Sequence, residues 1–139
     1  MSFAYTISCE LTRLKGLRDF IRQSLQTYGL QGMQAEELTL AVDEMVANQM
    51  IHSHQCNPLN TLELKLSYIM PDQTVIIELI DEGNFFDINT FTQPELKDIV
   101  HQKRKGGLGI RLIRTIMDKI EYVQENDKSI CRMYKKMKS

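Results

Sequence analysis

A chain of 139 residues with 42% hydrophobic and 25% charged side chains can bury a core without disulfides or a structural metal. A formal net charge of -1 leaves no global basic field to argue for nucleic acid, and no apolar run reaches the length of a membrane span. Cys9, Cys56 and Cys131 are odd in number and far apart, and no export signal is read at the N-terminus, so a reduced, cytoplasmic protein is expected.

Residues Phe3 to Ser8 alternate weakly and suggest a short strand. From Leu11 the period changes: Leu11, Leu14, Leu17, Ile21, Leu25 and Tyr28 mark one helical stripe, with Gly29 as its stop. Arg13, Lys15, Arg18 and Arg22 are interspersed along it. Such residues ordinarily form a solvated face, and the pattern leaves open whether Arg13 and Arg18 meet a partner.

Glu36 and Glu37 then sit in the first turn of a second helix, where the dipole favours acids. Its stretch from Leu40 to His52 is apolar on nearly every side, as expected of a helix in a core. Asp43, Glu44, Asn48 and Gln49 are set into it. Glu44 and Asn48, four residues apart, project about 40° apart on one face. Burying a carboxylate and an amide is costly, so something polar should meet them. Taken alone, the pair also fits a helix end with two satisfied polar residues. His52, His54 and Cys56 form an H-x-H-x-C run with no second ligand cluster, which reads as chance proximity at a helix end.

Leu62, Leu64 and Leu66 alternate with Glu63, Lys65 and Ser67, the pattern of a half-buried strand. Pro71-Asp72 turns the chain into a more apolar strand, Val75 to Ile80, which runs into Asp81-Glu82-Gly83. That order puts the Asp81 carboxylate at the sheet's edge, ready to accept from a ligand, with Gly83 allowing close approach. The least patterned segment, 88–105, reads as a lid with a short helix from Glu95 to His101 and the basic group Lys103, Arg104 and Lys105. Gly106, Gly107, Leu108 and Gly109 open a helix marked by Leu112, Ile113, Ile116 and Met117. Free N–H groups at such a start form an anion site, which the preceding basic residues strengthen for phosphates. Lys119 to Glu125 and Ser129 to Met137, joined at Asn126-Asp127, read as a final hairpin. The whole of 1–139 is expected to form one domain.

A helical E-x-x-x-N, a strand ending in D-x-G and a G-G-L-G-I helix start thus follow in fixed order. Together they resemble the nucleotide-binding boxes of the GHKL ATPase superfamily, shared by DNA gyrase, sensor histidine kinases and mismatch-repair ATPases. Within it the chain looks most like the anti-sigma regulatory serine/threonine kinases of bacteria. The matches are AVDEMVANQMIHSH, the form D-x-G-x-x-F-D, and GGLGIRLIRTIMDKIEYV, and they span essentially the whole chain.

The resemblance implies a two-layer α/β sandwich, a mixed and mostly antiparallel sheet with helices on one face. It implies ATP and Mg²⁺, with Asn48 on the metal, Asp81 accepting from the adenine amine and Gly83 beside the base. Gly106, Gly107, Leu108 and Gly109 would cradle the phosphates, with Lys105 beside them, and Glu44 would be the catalytic base. The function implied is an anti-sigma factor and kinase that phosphorylates a STAS-type antagonist and controls a sigma factor by partner switching. A homodimer is expected, with no direct contact to nucleic acid or membrane. Two features depart from sensor kinases: Phe85 stands where they carry another glycine, and Lys105 replaces a glycine of the phosphate loop. No phosphoacceptor-histidine helix is supplied by His52, His54 or His101, so a detached histidine kinase is not expected. The alternatives are a non-catalytic nucleotide- or partner-binding module of the same fold, and a slow ATPase unconnected with transcription.

Overall fold

A computed structural model describes residues 2–82 and 106–137 of the chain. The expected lid, Gly83 and Lys105 lie outside the described residues. Strand β1 (Ser2–Ser8) leads through a short 3₁₀ turn at Leu11–Arg13 into helix α1 (Leu14–Thr27) and then helix α2 (Met33–His54). The hairpin β2 (Thr61–Ile69) and β3 (Thr74–Asp81) follows. Helix α3 (Gly106–Ile116) precedes the second hairpin, β4 (Lys119–Glu125) and β5 (Lys128–Lys136).

The strands form one sheet in the order β1-β2-β3-β5-β4, and all four pairings are antiparallel. The expected two-layer sandwich is therefore present, and among the described residues its sheet contains no parallel pair. Register explains which side chains face the helices. Leu64 lies opposite Leu79, Leu66 opposite Ile77, Leu79 opposite Cys131 and Ile77 opposite Met133. These residues share one face and are buried with Leu17, Ile21 and Leu25 of α1, Leu38, Val42 and Met45 of α2, and Ile110 and Ile113 of α3. The far face is polar at its centre. Arg132 bonds Glu78 at 2.9 Å and Glu121 at 3.3 Å, and Tyr134 donates its hydroxyl to Glu121 at 2.6 Å.

The ends of α1 are set locally. Gly29 adopts a φ of 80°, the left-handed region open to glycine, and the Leu30 and Gly29 amides return to the Leu25 and Gln26 carbonyls at 2.9 Å each. Arg22 of α1 then reaches Glu36 in the first turn of α2 at 3.0 Å. Tyr5 of β1 stacks on Phe20 of α1 with centroids 4.9 Å apart, joining the outer strand to the helical layer.

Helix α2 lies between α1 and α3 and packs against both. It is buried around much of its circumference, but the expectation of an apolar core stretch from Leu40 onward needs one correction. Leu40 is 45% exposed, and Ala47 and Ile51 are only half-buried. The face carrying Leu40, Glu44 and Ile51 is not covered by sheet, which packs against the opposite side of the helix. Neighbouring residues on β3 test the facing directly. Ile77→Ala should cost about 2–5 kcal/mol in urea denaturation, the range for a buried large-to-small change. Ile76→Ala, half-buried on the far face, should cost clearly less. Equal losses would contradict the assigned faces.

Candidate functional site

The polar residues of α2 have different fates. Asp43 is nine-tenths buried and accepts from Arg18 of α1 at 3.0 Å. Burial pushes the Asp43 carboxyl up, while Arg18 pulls it back. Arg18 is therefore tied to the core layer, whereas Arg13 makes a surface pair with Glu10 at 3.4 Å.

Asn48 is 1% exposed, and neither its Nδ2 nor its Oδ1 has a hydrogen-bond partner among the described residues. A buried primary amide left in this state costs about 1–3 kcal/mol. Glu44 stands one helical turn earlier and is half-buried. An amide oxygen is a suitable donor for Mg²⁺, a cation that takes few protein ligands, so the orphaned Asn48 fits the metal role. Among the described residues no group of three His, Cys, Asp or Glu side chains could hold a metal ion.

Asp81 ends β3, the middle strand of the five, and is 3% exposed. The expectation of a carboxylate at the sheet's edge is corrected accordingly: it lies at the end of a central strand, opposite Ser129 of β5. Two side chains of α2 converge on it. Gln49 donates its Nε2–H to Asp81 Oδ2 at 2.6 Å, and His54 Nε2 meets the same oxygen at 2.6 Å. Gln49 follows Asn48 in the chain, so one residue links the orphaned amide to the buried carboxylate. Burial, with the Asp81 carboxylate and Cys56 adding to it, pushes the nearby Cys9 thiol up to about 11. A cavity of about 550 Å³ opens beside the cluster, with His54, Asn60, Asp81 and Glu82 in its lining and neither Glu44 nor Asn48.

Gly106, Gly107, Leu108 and Gly109 form the first turn of α3. The helix begins on the first of the three glycines, so the N–H groups of this turn are those without an intrahelical acceptor. Sequence reasoning singled out Glu44, Asn48, Asp81 and this turn, and the structure puts the first two on α2, Asp81 within reach of the same helix, and the turn on the helix packed beside it. It missed Gln49 and His54 as partners of Asp81 and set His54 aside with the H-x-H-x-C run. A usable signal existed: a carboxylate buried at the end of an apolar strand needs donors, and a central helix rich in polar side chains could supply them.

This arrangement, a buried amide on a central helix, a buried carboxylate bonded to that helix and a glycine-opened helix packed beside it, defines a class. Residues 7–135 match the histidine kinase-like ATPase domain, and the chain belongs to that family. Among named relatives it is similar to the serine-protein kinase RsbW of Listeria monocytogenes, 27% identical over 99 residues, covering 68% of this chain and 62% of the relative. The RsbW of Bacillus licheniformis is 32% identical over 90 residues, covering 61% and 55%. The matches span less than two thirds of those relatives' length. Two solved structures share the fold. The RsbU and RsbW domains of a Mycobacterium tuberculosis protein superpose with a TM-score of 0.65 at 12% identity, covering 98% of this chain and 32% of the other. The SiaB–SiaC complex of Pseudomonas aeruginosa gives 0.59 at 10% identity, covering 96% and 88%.

The orphaned amide makes a prediction that needs no ligand. Asn48→Leu replaces two unpaired polar atoms with apolar ones of similar bulk and should stabilise the nucleotide-free protein by about 1–3 kcal/mol. Urea denaturation followed by circular dichroism reads the shift. A midpoint that falls or stays put would mean the amide is satisfied in the folded chain.

Proposed function

We propose that the chain is a protein serine/threonine kinase that uses Mg-ATP and doubles as an anti-sigma factor. The observation that carries this reading is Asn48, a fully buried amide without a partner among the described residues, one residue from the Gln49 bond to Asp81. The named relatives, serine-protein kinases, support the reaction type.

In this reading Asn48 Oδ1 would hold Mg²⁺, whose charge neutralises the triphosphate. Asp81 accepts from the adenine amine, with Gly83 beside the base. The backbone N–H groups of Gly106 to Gly109 cradle the phosphates, with Lys105 adding positive charge. Glu44 takes the proton from a Ser or Thr hydroxyl as its oxygen bonds to the γ-phosphorus; the bond from that phosphorus to the β,γ-bridging oxygen breaks and ADP leaves. The acceptor is a STAS-type antagonist. Phosphate on its surface disrupts binding by charge and bulk, and the nucleotide state biases whether antagonist or sigma factor is held. The protein acts in the cytoplasm as a homodimer, and no described helix is long and apolar enough to cross a membrane.

Calorimetric titration of ATP with and without Mg²⁺ tests the site. Saturable, Mg²⁺-dependent binding lost in Asn48→Ala is expected; no binding at millimolar nucleotide would refute the nucleotide site. Glu44→Gln should keep ATP binding and abolish transfer of labelled γ-phosphate to a purified STAS-domain antagonist. Transfer that survives in Glu44→Gln would exclude Glu44 as base. ATP binding with no transfer by wild type would favour the non-catalytic module.

A further inference from the structure

The Asp81 carboxylate is held by a relay that begins outside the two boxes it connects. Helix α2 ends at His54, and the chain turns through Gln55 and Cys56 with φ of 51° and 56°. Two successive non-glycine residues in the left-handed region persist only where surrounding contacts enforce them. Here the turn is closed by Cys56 N–H to the Met50 carbonyl at 2.9 Å and Asn57 N–H to the His54 carbonyl at 3.0 Å. It brings Asn60 back to His54, where Asn60 Nδ2 lies 2.9 Å from the ring's Nδ1. Asn60 is itself pinned to the end of β1, its carbonyl accepting from Cys9 N–H at 2.9 Å.

The chemistry of the partners sets the direction of each bond. An ionised carboxylate only accepts, so His54 Nε2 carries the hydrogen facing Asp81. With the Asn60 amide donating to Nδ1, the bonds match an Nε2–H ring. His54 is 11% exposed and Asp81 2% by side chain, so the bond is sheltered from water. Gln49 and His54 both reach Oδ2, one from within α2 and one from its last residue. Two donors converging on one oxygen fix the plane of the carboxylate and saturate that oxygen.

We propose that His54, locked by Asn60, is a positioning residue for base recognition: it orients Asp81 so that the other oxygen selects a purine carrying an exocyclic amine. The inference rests on the reading of Asp81 as the acceptor for adenine. In this inference His54 acts through the carboxylate. A carboxylate free to rotate would accept from many donors and discriminate poorly, whereas a fixed one rejects a base that presents a carbonyl there, because two acceptors would face each other.

The test compares ATP with inosine triphosphate, which carries a carbonyl in place of the adenine amine, by calorimetry in Mg²⁺. Wild type should prefer ATP. His54→Ala should weaken ATP by about tenfold while leaving inosine triphosphate nearly unchanged, as expected for loss of one charge-assisted bond. His54→Gln, which can place an amide donor near the same oxygen, should restore the preference. A His54→Ala protein that loses both ligands by the same factor, or neither, overturns the inference and leaves the nucleotide site standing. Wild type that binds neither ligand overturns the reading of Asp81 and the inference together. A measurement without ligand is independent of both: long-range ¹H–¹⁵N spectra should show the His54 ring as the Nε2–H tautomer, and an Nδ1–H ring would refute the relay.

Discussion

The structure depends on how a buried helix settles its polar side chains. Helix α2 runs through the centre of the molecule and takes Asp43, Asn48 and Gln49 with it. Each would cost free energy if left without a partner there. Asp43 is met by Arg18 from α1 and Gln49 by Asp81 from β3, so these two bonds also fasten α2 to its neighbours. The third side chain, Asn48, is left without a partner among the described residues. One helix therefore serves as core and as the proposed site, and its answered polar groups hold the unanswered one in place.

The topology brings the rest of the proposed site to that helix. Because β3 is the middle strand, its end at Asp81 emerges over the centre of the sheet, where α2 lies, instead of at a flank. The chain returns from 83–105 as α3, which packs on α2. Asp81, a buried carboxylate, and the start of α3, whose first N–H groups have no intrahelical acceptor, are thus both brought to α2. The final hairpin closes the sheet, with Ser129 of β5 opposite Asp81 and Cys131 and Met133 extending the core.

Much of this was legible from periodicity. Leu62, Leu64 and Leu66 alternate because one face of β2 is covered, and Leu14, Leu17, Ile21 and Leu25 recur because one stripe of α1 is. Glu44, Asn48 and the glycines stood out by residue type and order. Contacts between distant positions did not. Arg18 and Asp43 are 25 residues apart, His54 and Asp81 27, and Gln49 and Asp81 32. Local spacing carries no information on which strand a helix crosses or at what angle. The same limit made Leu40 look like core, since an all-apolar stretch does not reveal which side the sheet leaves open. His54 was passed over for a related reason: beside its sequence neighbours His52 and Cys56 it read as part of a chance cluster at a helix end, while its partner in space is a carboxylate on β3.

The fold by itself does not separate a kinase from a binding module. Two solved structures share the fold at 12% and 10% identity, so widely different sequences form this sandwich. What separates a nucleotide site from a surface that only docks a protein is the energetics of a few polar atoms. Domains are stable by only about 5–15 kcal/mol, so an unpaired buried amide worth about 1–3 kcal/mol is a large concession. A module that only docked a protein on its surface would gain from an apolar side chain at position 48. A site that must meet an oxygen-seeking cation within the core gains from an amide whose oxygen no protein group has claimed. The same logic applied to Asp81 gives the opposite arrangement, a carboxylate held firmly by Gln49 and His54. An acceptor that must discriminate between bases is better fixed, whereas a ligand for a hydrated cation is better left open.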